Sequence, residues 1–305
     1  MKRYLWILAA CGHSSAPAPD PGSGSAAVAK PAADSLCEPL PFAATTPVPE
    51  ASGAGWLTID GKLELVVVGD SGNDGAFGIV DPDTGETLST GKLPLGGGGD
   101  DLEGIAVRDG KLYGVTSAGW MRVWKREGAG FTLVDGPYAL GPVDLPNKRK
   151  GKKLPLGDGM ICDLDGSNCG RNYEGLCLPA HPAGPCVGFI AAKADGHLYC
   201  LVDEGGRLAV KHEPSIAIAR AGVVADCTFG DDDRLWVADN LLNFGQVYTV
   251  SGWQDPATAQ VHEFDKLAIG FPEVIAVRGD LVYRMSDLGG APSMMAKFRC
   301  SAARR

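Results

Sequence analysis

One spacing recurs along this chain and restricts it to stacked β units. An anchor residue is followed ten positions later by an apolar or aromatic residue, and four after that by a small polar or acidic one. Glu103, Tyr113 and Ser117 form such a set, as do Asp226, Trp236 and Asn240, and Glu273, Tyr283 and Asp287. Glu174, Tyr199 and Asp203 join them if the 15 extra residues between the first two, which hold Cys186 and three prolines, are a hairpin insertion. Trp56, Val66 and Asp70 keep the spacing without an acid at the anchor. Each set lies in short apolar runs broken by turn signals such as RDGK, DDDR and RGD, the pattern of a β-meander repeated about every 47–50 residues.

A single meander leaves apolar faces uncovered, so repeated meanders must stack, and stacking around an axis makes a β-propeller. The expectation is an all-β propeller of five blades, with space for a sixth in the irregular stretch 128–160. A sandwich would also have many short strands, but no fixed anchor in each unit. The 43 glycines and 21 prolines agree with turn-rich β structure, since glycine costs backbone entropy and proline removes a donor in helices. A second repeat, KLPLG, occurs at Lys92–Gly96 and Lys153–Gly157.

The amino terminus reads as an export signal. Met1-Lys2-Arg3 is basic and Tyr4–Ala10 is apolar but too short to span a bilayer. Leu8-Ala9-Ala10-Cys11 resembles the lipobox of bacterial lipoproteins, which implies cleavage after residue 10 and a lipid on Cys11. Gly12, with no Asp after the Cys, implies by the same resemblance sorting to the outer membrane, facing the periplasm or the cell surface. Residues 14–35 are 18 of 22 Ala, Pro, Gly or Ser. Such a segment is a flexible spacer reaching about 25–30 Å. The organisation expected is a signal peptide over 1–10, a tether over 11–50 and a propeller over 51–305.

With Cys11 assigned to lipid, eight cysteines remain: Cys37, Cys162, Cys169, Cys177, Cys186, Cys200, Cys227 and Cys300. An even set in an exported chain reads as up to four disulfides. Spacing favours Cys162–Cys169 and Cys177–Cys186, leaving Cys37–Cys300 and Cys200–Cys227. No C-x-x-C occurs, which argues against a thiolate zinc site.

Rotation relates the repeats, so equivalent positions converge on the axis. Glu103, Glu174, Asp226 and Glu273 are thereby expected at one channel mouth, each at the start of an innermost strand. Gathered carboxylates repel, and either raised pKa values or a bound cation relieves the repulsion. Hard oxygen donors favour Ca²⁺. The competing reading is a structural network of backbone caps and ion pairs. A second ring, Asp70, Ser117, Asp203, Asn240 and Asp287, ends the second strands and reads first as turn chemistry and second as ligand contact.

DLEGIA (Asp101–Ala106) and NYEGLCL (Asn172–Leu178) resemble blade starts of the phytase-like and SdiA-regulated-type propellers of bacterial envelopes, and VDPDTG (Val80–Gly85) is similar to turns of YncE-type propellers. The resemblance implies an esterase-like or phosphatase-like activity, assisted here by Ca²⁺. A ring of acids without a catalytic dyad reads first as a binding site for a small ligand, cation or protein partner, and a structural envelope scaffold is the third reading.

Other motifs are weaker. Gly69-Asp70-Ser71-Gly72 looks like a protease nucleophile segment but lacks a His partner motif, and no G-x-S-x-G elbow is present. Asp163–Ser167 falls short of a calcium loop, and Gly96–Gly99 lacks the Lys and helix of a phosphate cradle. His181, in the cysteine-bounded loop, reads first as a solvated loop histidine and second as a rim base or ligand. The basic run 148–153 reads as a solvated insertion, with lipid headgroups or an anionic substrate as its other partners. A net charge of −9 without a concentrated basic face argues against nucleic acid. The partners expected are the membrane, through the lipid anchor alone, and a small-molecule or protein ligand at the mouth.

Overall fold

The computed structural model describes residues 35–142, 148–149, 152–153, 161–241, 245–287, 289 and 292–301. The signal peptide, Cys11 and the tether up to residue 34 lie outside the described residues. The chain enters through β1 (Cys37–Leu40) and β2 (Thr45–Pro49). Blade 1 is β3 (Ala51–Ile59), β4 (Lys62–Gly69), β5 (Ala76–Val80) and β6 (Thr87–Lys92). Blade 2 is β7 (Leu102–Arg108), β8 (Lys111–Thr116), β9 (Trp120–Glu127) and β10 (Gly130–Ala139). A two-stranded ribbon, β11 (Lys148–Arg149) and β12 (Lys152–Lys153), follows. Blade 3 is β13 (Tyr173–Cys177), β14 (Gly188–Ala192), β15 (His197–Glu204) and β16 (Arg207–Ala217). Blade 4 is β17 (Val224–Phe229), β18 (Leu235–Asp239), β19 (Gln246–Ser251) and β20 (Gln260–Lys266). Blade 5 begins with β21 (Phe271–Arg278), β22 (Leu281–Asp287) and β23 (Pro292–Cys300).

Every blade is an antiparallel meander, and β3, β7, β13, β17 and β21 pack in succession around the axis, with β21 returning to β3. The fold is a five-bladed propeller. Its ring is closed by β1, which pairs antiparallel with β23 and supplies the fourth strand of blade 5. Cys37 and Cys300 face each other in that register and form a disulfide. The closure thus joins the two ends of the described chain, and the bond adds a covalent tie to a strand held by the β23 ladder and by the Cys37 amide, which donates to Asp265 Oδ2 at 3.0 Å.

The innermost strands read as buried runs because blades cover both of their faces. The repeated aromatic residues pack edge to face, Tyr283 on the Trp56 ring of the next blade at 5.3 Å and Trp236 on Phe264 within blade 4 at 4.7 Å. Blades approach closely at the axis. A Cβ on Gly53 would lie 2.7 Å from the Glu103 carbonyl, and one on Gly104 would lie 2.4 Å from the Leu176 amide, so only glycine admits this spacing.

Several expectations change. No sixth blade exists among the described residues, because Gly130–Ala139 is the outer strand of blade 2. Residues 37–40 and 45–49, placed in the tether by composition, are β1 and β2, so the propeller starts by Cys37. Cys162–Cys169 and Cys37–Cys300 form as expected, but the other two pairs are Cys177–Cys227 and Cys186–Cys200. Cys177 lies on β13 beside β17, so its partner is set by the neighbouring blade and not by the loop that follows it.

Candidate metal centre at the channel mouth

A bulge near the start of an innermost strand sets the anchor positions. In β7 and β21 the unpaired residues are Glu103 and Glu273, in β13 Glu174 falls within the same irregularity, and in β3 the equivalent residue is Ser52. In β17 the bulge falls on Ala225, one residue before Asp226. The bulge re-aims the side chains of Ser52, Glu103, Glu174 and Glu273. Blade 1 is therefore anchored by Ser52 and not by Trp56, whose indole donates to the Val277 carbonyl at 2.8 Å.

Ser52 Oγ donates to Glu103 Oε2 at 2.7 Å. Asp70, at the end of β4, and Asp101, just ahead of β7, each bring a carboxylate oxygen to Glu103, the three atoms lying within 4.8 Å of one another. Asp101 also accepts from the Ser117 hydroxyl, which in turn accepts the Asn168 amide at 2.7 Å. Burial pushes the Asp70 carboxyl up to about 7, with Asp101, Asp287 and Glu273 adding to it. Burial and the charges of Glu174, Asp70 and Asp101 hold Glu103 well above the usual carboxylate range. Asp101 is raised as well, chiefly by burial.

Across the mouth stands a single lysine. Lys193 Nζ lies 2.9 Å from Glu174 Oε2 and 3.6 Å from Glu273 Oε1, linking blade 3 to blade 5. Burial alone would depress this ammonium, but Glu174, Glu273 and Glu103 outweigh it and hold its pKa above that of an ordinary lysine. Lys193 is thus a fixed cation and not a base. Asn172 Nδ2 donates to Glu174 Oε1 at 2.7 Å, and Asn240 Nδ2 donates to Glu273 Oε1 at 3.0 Å.

Asp226 does different work. Its carboxylate accepts the Cys227 amide at 2.8 Å and the Ile275 amide at 2.9 Å, tying β17 to β21, and burial raises its pKa. Asp203 is on the exposed end of β15, where it caps the Gly206 amide at 2.7 Å, and Asp287 caps Gly289 at 2.7 Å. Asp203 therefore leaves the second ring, and Tyr199 lies on the third strand of its blade. The inserted residues 178–187 fall between β13 and β14, so the second-strand residues of blade 3 are Phe189 and, four later, Lys193. Lys193, Ser52 and Asp101 were not singled out by spacing. Lys193 is chemically opposite to its counterparts, although GFIAA followed by the KADG turn marks a separate strand there.

Two loops shape the rim. Cys162–Cys169 closes the turn in which Gly166 N donates to Asp163 O at 2.9 Å, and Trp120 Nε1 donates to Cys162 O at 3.0 Å. Gly98 packs against Asp165, where a Cβ would meet Oδ1 at 1.7 Å. The buried Arg122 donates to the Leu95 carbonyl at 2.7 Å and to the Gly98 carbonyl, fixing the glycine run just before Asp101.

The donor set fits calcium. Oxygens bound to one Ca²⁺ at 2.3–2.6 Å lie at most about 5 Å apart, a limit the Asp70–Asp101–Glu103 triad meets. Three protein ligands would leave half or more of the coordination sphere to water and ligand.

The sequence matches no protein-family profile and no curated protein. Among solved structures it is similar to a luciferin-regenerating enzyme, at 11% identity and TM-score 0.48, over 84% of this chain and 92% of that one. It is also similar to a putative 6-phosphogluconolactonase from Bacteroides uniformis, at 14% and 0.47, over 80% and 79%. The glutaminyl cyclase of Myxococcus xanthus stands at 12% and 0.46, over 87% and 97%. At these identities the likenesses carry no argument about activity, and the propeller assignment rests on the strand order above.

Proposed function

We propose that this chain is an exported propeller whose channel mouth binds a divalent cation, Ca²⁺ by its donor chemistry, and through it a small ligand or a protein partner. The observation that carries this reading is the convergence of Asp70, Asp101 and Glu103 oxygens within 4.8 Å at a buried site. Without a cation, the hydrogen bonds from Ser52 and Ser117 offset only part of the repulsion, and the carboxyl pKa values stay raised. Thermal unfolding of the purified chain with Ca²⁺ and with a chelator tests it. A melting temperature that rises with Ca²⁺ concentration supports it, because a ligand that binds only the folded state stabilises by mass action.

A second reading, Ca²⁺-assisted hydrolysis of a carboxylic or phosphoric ester, is favoured by the open coordination sphere and by Lys193, a fixed cation opposite the triad. The metal would polarise the ester and activate water. A panel of both ester classes, with and without Ca²⁺, separates an enzyme from a binding protein.

Four disulfides fit an oxidising, extracytoplasmic compartment. Lipid attachment at Cys11, with the head held off the outer membrane, is the localisation this reading includes. Cys11→Ala should move the protein from the membrane to the soluble fraction, and unchanged membrane retention would refute the anchor.

A further inference from the structure

The channel has a second end, and its chemistry is different. Beyond the bulges the innermost strands of blades 1 to 4 enclose a cavity of about 210 Å³. One side of its wall is apolar, built from residues such as Ala54, Ile105, Ala106, Leu176 and Leu178, and the rest is polar. Two half-buried aromatic side chains, Trp56 and Phe229, face it from blades 1 and 4. Its polar lining residues are Thr228, on β17, Asp231 and Asp233, in the turn after it, and His181.

This end is built as a rigid pocket. His181 and Ala180 reach it on the inserted loop 178–187, which starts beside Cys177 and ends next to Cys186. Cys177 is bonded to Cys227 and Cys186 to Cys200, so both feet of the loop are fixed to strands. The loop also abuts blade 4, where a Cβ on Gly184 would lie 2.0 Å from the Gln254 carbonyl. A pocket held this way loses little freedom when a ligand enters.

From this geometry we infer that the end of the channel opposite the acidic triad is a separate binding site for a small organic ammonium ion with an apolar body. A dry apolar cavity of about 150 Å³ holds one benzene ring, so 210 Å³ admits a ring with a short side chain. An ammonium at the rim would meet Asp231 and Asp233. None of the nearby arginines is among the lining residues: Arg108 donates to the Val187 carbonyl at 3.1 Å, Arg278 stacks 5.8 Å from the Trp56 ring, and Arg234 pairs with Asp232 at 3.5 Å. An anionic ligand of the same shape would face the two carboxylates instead. This site requires neither calcium nor the function proposed above.

The test is calorimetric titration of the purified full chain with phenethylamine, and with 3-phenylpropanoate as its anionic counterpart. The amine should bind with Kd at or below about 1 mM and at least tenfold more tightly than the acid. The double variant Asp231→Asn/Asp233→Asn should weaken the amine by at least tenfold. Asn tolerates the positive φ of 56° at residue 233, so the turn should persist. Ala106→Leu, which fills the cavity, should abolish binding, and circular dichroism will show whether that variant folds. Equal binding of amine and acid, no amine binding up to about 10 mM, or no effect of the double variant would overturn the inference. Loss of binding in Glu103→Gln but not in the double variant would place the ammonium at the acidic mouth, which overturns it equally.

Discussion

Ser52 donates to Glu103 across the boundary between blades 1 and 2, so the one blade without an acid or an acid neighbour at its bulge supplies a hydroxyl to the acid of the next. That bond is the one side-chain donor Glu103 has among the described residues. Ser52→Ala should cost about 1–2 kcal/mol in urea unfolding at neutral pH, since it strips a donor from a buried carboxyl. An unchanged midpoint would mean that Glu103 is satisfied by other means.

The acids of the mouth set a pH dependence with a definite sign. Asp70 is raised to about 7 from 3.8, and Glu103 is raised too, so in the cation-free protein the unfolded chain ionises first. The stability associated with Asp70 is fully present below about pH 4 and is lost as pH rises toward and through 7. Chelator-treated protein should therefore melt higher near pH 5.5 than near pH 8, and saturating Ca²⁺ should shrink the difference. A melting temperature that climbs with pH over this range would contradict the assignment.

Lys193 holds two acids at once. Lys193→Met leaves Glu174 and Glu273 facing each other across the channel without their cation. Breaking a buried pair costs about 3–5 kcal/mol, and the lysine side chain is 24% exposed, so a loss of about 1–3 kcal/mol is expected. Adding Glu174→Gln to Lys193→Met should restore part of it, as a double-mutant cycle will show.

The propeller was legible because hairpin geometry sets sequence spacing. In blades 2, 4 and 5 the first turn is short and the aromatic residue recurs in register, as Tyr113, Trp236 and Tyr283 show. Blade 3 misled because its insertion sits in that first turn. The spacing then landed on Tyr199, one strand too far, and hid Lys193 behind Asp203. Blade 1 misled through a longer first hairpin, which moved the anchor from Trp56 to Ser52. Asp101 is two residues from Glu103 in sequence, yet its role depends on the glycine run and Arg122 turning it inward, which no spacing encodes. The Cys177–Cys227 pair is likewise a property of adjacent blades.

Ring closure gives a further expectation. β1 is held to β23 by its ladder and by Cys37–Cys300, a bond that spans 263 residues. Replacing both cysteines with serine should cost about 2–5 kcal/mol. Hydrogen exchange should then be faster in β1 and β23 before it changes in blade 2. Uniform acceleration across all blades would show that the closure does not open separately.

The central claim is that Asp70, Asp101 and Glu103 hold one divalent cation. Calorimetric titration of the purified chain with CaCl₂ at neutral pH, beside the Asp70→Asn and Glu103→Gln variants, tests it most directly. One site per chain is expected, with affinity reduced at least tenfold in either variant. No heat in the wild-type protein, or binding that both variants leave unchanged, would contradict it.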